Sequence, residues 1–146
     1  MIQPPAPLTR GARLAPIGVA LLLPLAALLT GCASSKEAGM PAEVQQAPLV
    51  VRQAYDFALE HPDVLRQLPC YCGCGAKGHT SNYSCYVSGT TSEGGVTFDL
   101  HAVGCSICVD ITQDAKRMLG EGRSLTDIRA EIDRRYSAFG PSNRTP

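Results

Sequence analysis

Apolar residues recur at helical spacing in three stretches of the chain, and aliphatic ones nearly vanish from Cys70 to Ser84. In Leu49 to Glu60, Val50, Ala54, Phe57 and Ala58 share a face that Val51, Tyr55 and Leu59 widen, which predicts a helix. His61-Pro62 ends it. His61 reads as a helix-end residue rather than a ligand, since a cation there complements the dipole. Pro62 suits the first turn of a short second helix through Val64, Leu65 and Leu68, which Pro69 stops. Cys105 to Leu119 predicts a longer helix, with Ile107, Ile111, Ala115 and Met118 in one stripe, Cys108 and Leu119 beside it, and Gly120 and Gly122 as its stop. Ser124 is the expected N-cap of a last helix, with Asp127 in the first turn and Leu125, Ile128, Ile132 and Tyr136 on its apolar face. Phe139 is expected to pack beneath its end, and Gly140-Pro141 to close the domain. The short connection makes these two helices an antiparallel hairpin.

From Cys70 to Ser84 the chain is glycine, cysteine and small polar residues, with almost nothing aliphatic. Such a segment is expected to be held by a metal or by bridges rather than by burial. Cys85-Tyr86-Val87 and Val96-Thr97-Phe98 can pair as a short hairpin around Gly89 to Gly95. The predicted fold is therefore mainly α: a small helical domain with a cysteine-rich irregular loop, a C-terminal helical hairpin and one short β-hairpin.

The N-terminal stretch changes the compartment. Arg10 and Arg13 lead an apolar run from Leu14 to Leu29, followed by Leu29-Thr30-Gly31-Cys32. This is the pattern of a secretory signal, and Leu-Thr-Gly-Cys resembles the lipobox of bacterial lipoproteins, in which the cysteine is acylated. Pro16 and Pro24 interrupt the run, which is short against the ~20 residues a membrane span needs. The expected organisation is a signal peptide over 1–31, a lipidated Cys32 with a small-residue tether over 32–48, a cysteine-rich domain over 49–140 and a tail over 141–146. The membrane, reached through the lipid, is one expected partner, and the location is extracytoplasmic. Without Arg10 and Arg13 the chain carries 11 basic and 13 acidic side chains, a balance of −2. No basic run can track phosphates, which argues against nucleic acid. Asn82-Tyr83-Ser84 matches a glycosylation sequon and is read as chance.

Acylation of Cys32 leaves six of the seven cysteines: Cys70, Cys72, Cys74, Cys85, Cys105 and Cys108. With His79 and His101 they form the candidate ligand set. The C-x-C-x-C run is set among glycines that can turn the loop so that its sulfurs converge on one point, and bridging within so short a loop would be strained. Cys105-Ser106-Ile107-Cys108 starts a helix, where free amides and the dipole favour thiolate. Metal ligation and thiol-disulfide exchange both use that feature, and an even number of cysteines in an oxidising compartment also fits three structural bridges. Two observations favour metal. The C-x-C-x-C run and two histidines exceed what a dithiol enzyme needs, and thiolates with imidazoles suit Cu(I) or zinc. No hydrolase or phosphate-loop motif is present.

Three segments carry a resemblance. Pro69-Cys70-Tyr71-Cys72-Gly73-Cys74-Gly75, then Gly78-His79 with Ser81-Asn82 and Cys85, then Phe98-Asp99 with His101-Ala102, Cys105, Cys108 and Asp110-Ile111, resemble the PCYCGC-motif bacterial lipoproteins. The likeness runs from about Val50 to Tyr136 and implies a lipid-anchored domain without implying an activity. More weakly, Cys105 to Tyr136 is similar to the thiol-reducing subunit of cytochrome c maturation, which places a cysteine pair before such a helical hairpin. Four further cysteines upstream set this chain apart from it. The resulting expectation is a non-catalytic, membrane-anchored protein that binds, stores or hands on copper or zinc, with Cu(I) ahead. The alternatives are a thiol-disulfide protein using Cys105 and Cys108, or a disulfide-stapled interaction module. No protein partner can be named.

Overall fold

The computed structural model describes residue 3 and residues 39–144. Of the five α-helices among the described residues, α2 (Leu49–Glu60) and α4 (Ser106–Gly120) pack on each other and organise the rest. Before them comes a single turn, α1 (Ala42–Gln45), and between them α3 (Pro62–Leu65), the cysteine-rich segment and a β-hairpin. α5 (Leu125–Tyr136) folds back on α4. The fold is mainly helical, as the periodicity predicts.

α2 ends at His61, which caps it and also begins α3, where Pro62 occupies the first turn. The His61 ring rests on Phe57 at 4.5 Å between centroids and stays away from the cysteines. The buried face of α2 is Val51, Ala54, Tyr55, Phe57 and Ala58, whereas Val50, placed on the stripe by spacing, is exposed beside Leu49. On α4 the buried side chains are Cys108, Val109, Ile111, Thr112, Ala115 and Met118. Ile107 lies only half in, because the face that turns inward is centred on Cys108. α5 begins at Ser124, whose Oγ accepts from the Asp127 amide at 3.2 Å, and buries Ile128, Ile132 and Tyr136. Each fully buried isoleucine or methionine on these two helices contributes about 1.5–3 kcal/mol.

Three differences from the sequence expectation have clear causes. β1 (Val87–Thr90) pairs antiparallel with β2 (Val96–Phe98), and a bulge lies between Val87 and Gly89. Cys85 and Tyr86 lie outside the ladder; a 3-10 turn over Tyr83–Cys85 sends them into the core instead. Phe139 does not pack beneath α5. It is 63% exposed, with its ring tilted against Tyr136 at 6.1 Å between centroids, and from Gly140 the chain runs back against Tyr71 and Cys70 of the cysteine loop. Met40 and Val44 are buried, so packing reaches back into the stretch expected to be tether.

Nor is the Cys70–Asp99 segment poor in core. Cys70, Tyr71, Cys74, Cys85, Tyr86 and Val87 are buried, and sulfur and aromatic rings supply the apolar surface that aliphatic residues do not. No helix among the described residues is long and apolar enough to cross a membrane. The apolar run before Cys32, Cys32 itself and the first tether residues lie outside the described residues.

Candidate metal centre

Four short backbone elements deliver the sulfurs. Pro69 ends the turn after α3 and starts the Cys70–Cys74 loop. Gly73, at φ +81°, takes the left-handed conformation that lets the chain reverse into a 3-10 turn over Cys74–Lys77. The Tyr83–Cys85 turn brings Cys85 in from below, and a third 3-10 turn, His101–Gly104, leads into α4. Cys105 is the N-cap of that helix and Cys108 sits in its first turn.

The result is one cluster. Cys108 Sγ lies 3.3 Å from Cys70 Sγ, 3.5 Å from Cys72, 3.2 Å from Cys85 and 3.4 Å from Cys105. Cys70 and Cys72 are 3.4 Å apart, and Cys74 is 3.7 Å from Cys85. A disulfide bond is about 2.05 Å long, so these are contacts between free thiols, and all six of these cysteines are free. The structure therefore contains none of the bridges considered from the sequence. It brings all eight sequence-proposed ligands together in four overlapping groups, within each of which the donor atoms lie no more than 4.8 Å apart. The groups are Cys72, His101, Cys105 and Cys108; Cys74, His79, Cys85 and His101; Cys70, Cys72 and Cys74; and Cys70, Cys85 and Cys108. These groups can hold a metal ion.

The two imidazoles meet edge to face, with ring centroids 5.1 Å apart. His101 Nε2 lies 3.3 Å from Cys72 Sγ. His79 Nε2 lies 3.4 Å from Asp99 Oδ2, while its Nδ1 is buried with no hydrogen-bond partner. A carboxylate behind one ring nitrogen and an unpaired lone pair on the other is the arrangement of a metal-binding histidine. Asp99 also accepts the His101 backbone amide at 2.7 Å, so one carboxylate backs the His79 ring and fixes the main chain at His101.

The electrostatics differ from the sequence expectation. Cys108, rather than being acidified by the helix terminus, is pushed well above the ordinary thiol range: its proton is held in hydrogen bonds toward Cys70 and Cys85, and burial adds to this. Cys70 receives the benefit and falls to about 2, through hydrogen bonds from Cys108 and Cys85 acting against burial. Cys72 and Cys74 are raised by burial and by the charge on Cys70. The cluster thus gives up one proton easily and the following ones against accumulating negative charge, until cations replace them. His101 is lowered by burial and by His79, which keeps its imidazole in the neutral form that metals bind.

A buried polar network fixes the α4 side of the cluster. Asn82 Nδ2 donates to the Cys108 carbonyl at 3.2 Å, and Thr112 Oγ1 donates to Asn82 Oδ1 at 2.7 Å. The Tyr86 hydroxyl lies 2.6 Å from Thr112 Oγ1 and 2.8 Å from the same carbonyl. Asn82 is fully buried, so its sequon match has no accessible side chain to modify. On the other side the chain returns after α5. Asn143 accepts the Cys70 amide at 2.6 Å through Oδ1, donates from Nδ2 to Cys74 Sγ at 3.4 Å and to the Ser81 carbonyl at 3.2 Å, and donates its own amide to the Cys70 carbonyl at 3.1 Å. Tyr71 donates to Asp133 on α5 at 2.6 Å; its phenol is pushed up to about 12 by burial and by that carboxylate.

Sequence reasoning missed Asp99, Asn143 and the Asn82–Tyr86–Thr112 network. Asp99 carried a faint signal, an acidic residue two before a candidate histidine; Asn143, some 70 residues from its partners, carried none.

A family model described as proteins of unknown function with a PCYCGC motif matches residues 29–146. The chain belongs to this family. Its motif is the Cys70–Cys74 loop, and the match continues through every donor of the cluster and through Asn143. No curated protein and no solved structure matches the chain, so membership in the PCYCGC family adds no activity to what the geometry supports.

Proposed function

We propose that this chain is a membrane-anchored, extracytoplasmic protein that binds a thiophilic metal, Cu(I) ahead of zinc, and stores it or hands it on. The observation that carries this reading is the convergence of six free thiols and two imidazoles, one of which, His79, has Asp99 behind its Nε2 and a buried, unpartnered Nδ1. Soft sulfur donors with few carboxylates select copper(I) and zinc over harder ions. Acylation at Cys32 would hold the domain at the surface of a bacterial membrane, as the lipobox-like sequence suggests. Binding of this kind needs no catalytic group.

Equilibrium dialysis of the reduced full chain under anaerobic conditions, against buffered Cu(I) and Zn(II), tests the reading. The chain should retain at least one of the two ions, and prior alkylation of the thiols should abolish retention. If neither ion is retained while the thiols exchange rapidly with a disulfide substrate, the metal reading is wrong and a redox role for Cys105 and Cys108 takes its place.

A further inference from the structure

We infer that the centre takes a polynuclear thiolate cluster, two or more d10 ions joined through Cys70 and Cys108, and not one ion in a four-ligand site. This inference rests on the metal-binding reading and specifies what that site holds.

The first argument is the overlap of the donor groups. A closed tetrahedral site uses four protein ligands. If one ion took Cys72, His101, Cys105 and Cys108, the remaining donors would be Cys70, Cys74, His79 and Cys85, already gathered beside it. They form no separate second site, because Cys70 belongs to two three-sulfur groups and Cys108 links one of these to the four-ligand group. An imidazole nitrogen has one lone pair and binds one ion, whereas a thiolate has several and can join two. The positions shared between groups are mostly sulfur.

The second argument is distance. Two thiolates on one tetrahedral zinc, each at about 2.3 Å, stand about 3.8 Å apart. Cys108 Sγ has four sulfur neighbours at 3.2 to 3.5 Å, and these neighbours come from the Cys70–Cys74 loop, the Tyr83–Cys85 turn and the N-cap of its own helix. No single ion can be bound by all of those sulfurs and leave room for His79 and His101.

The third argument is ligand number. Six sulfurs exceed the three or four that one Cu(I) or Zn(II) ion binds, and Cys70, Cys74, Cys85 and Cys108 are buried in the one cluster. Each further ion displaces thiol protons to solvent as it binds, so that charge and protons balance. Cu(I) and Zn(II) both meet these requirements. Three-sulfur groups such as Cys70, Cys85 and Cys108 match a low-coordinate monovalent ion, and the four-ligand groups match zinc.

The test is native mass spectrometry of the reduced full chain titrated anaerobically with Cu(I) in one arm and Zn(II) in the other, with X-ray absorption on the loaded protein. In the arm whose ion is retained, the endpoint should be two or more ions per chain. Partly loaded species should be scarce at half saturation, and the absorption spectrum should show a metal–metal shell. Cys108→Ala, which keeps the backbone carbonyl network, should lower the endpoint by more ions than Cys105→Ser, since Cys105 belongs to one group only. Far-UV circular dichroism restricts that comparison to folded variants. If Cys108→Ala does not fold, the wild-type endpoint and metal–metal shell decide alone. A one-ion endpoint, two ions with no metal–metal shell, or equal losses in two folded variants would each overturn the cluster while leaving metal binding intact. Retention of no ion would overturn both readings.

Discussion

Thr112 is a small residue with a large predicted effect. Its hydroxyl is fully buried, donates to Asn82 Oδ1 at 2.7 Å and lies 2.6 Å from the Tyr86 hydroxyl. Thr112→Val keeps the shape and removes the oxygen. Asn82 Oδ1 then loses its donor at a fully buried position, while the Tyr86 hydroxyl retains the Cys108 carbonyl at 2.8 Å. Leaving one buried acceptor unsatisfied costs about 1–3 kcal/mol. Tyr86→Phe is the control. Thr112 keeps its bond to Asn82, the Cys108 carbonyl keeps Asn82 Nδ2, and nothing is orphaned, so only the net worth of a hydrogen bond, about 0.5–1.5 kcal/mol, is lost. Each variant loses one hydroxyl, and the one at the larger residue should therefore be the milder because it orphans no acceptor. Urea unfolding of reduced, metal-free protein reads both: with a slope of about 2 kcal/mol per molar, a 2 kcal/mol loss moves the midpoint by about 1 M. The double variant should fall short of the sum, because the two hydroxyls share partners. If Tyr86→Phe costs as much as Thr112→Val, or if both cost under about 0.5 kcal/mol, the network is not as described.

Three further outcomes follow from other parts of the molecule. In Gly140→Ala a Cβ would stand 2.8 Å from the Tyr71 carbonyl oxygen, so the return of the chain toward Asn143 must shift. A loss of about 1–3 kcal/mol with faster amide exchange at Cys70 is expected, and unchanged exchange there would refute the role of this strap. Asp99→Asn keeps an acceptor for the His101 amide but removes the carboxylate behind His79; metal affinity, read by competition with a chelator, should fall about 10–100-fold. Cys32→Ser should lose incorporation of labelled fatty acid, and a wild-type chain that takes up none would remove the lipid anchor from the proposal.

Much of the fold was legible in order. Helix periods, the proline after His61 and the Ser124 cap are local signals, carried by residues within one turn of each other, and α2, α4 and α5 appear where they point. The candidate cluster was legible by chemistry, since cysteine and histidine at this density mark a reactive site, and the structure gathers those residues into groups that could hold a metal. What the sequence by itself determined was therefore which stretches are helical and which side chains are reactive. Tertiary structure alone decided how those side chains meet. Cys70, Cys85 and Cys108 are separated by 15 and 23 residues, and only the packing of α2, α4 and the loop brings Cys70 and Cys85 within 3.3 Å of Cys108 Sγ. The same is true of Asn143, which reaches Cys70 where the chain runs back from Gly140, and of Cys108, whose proton is held by neighbours that no local pattern reveals. Periodicity reports one element's own face, whereas converging sulfurs, a carboxylate-backed imidazole and shifted protons are properties of distances between elements.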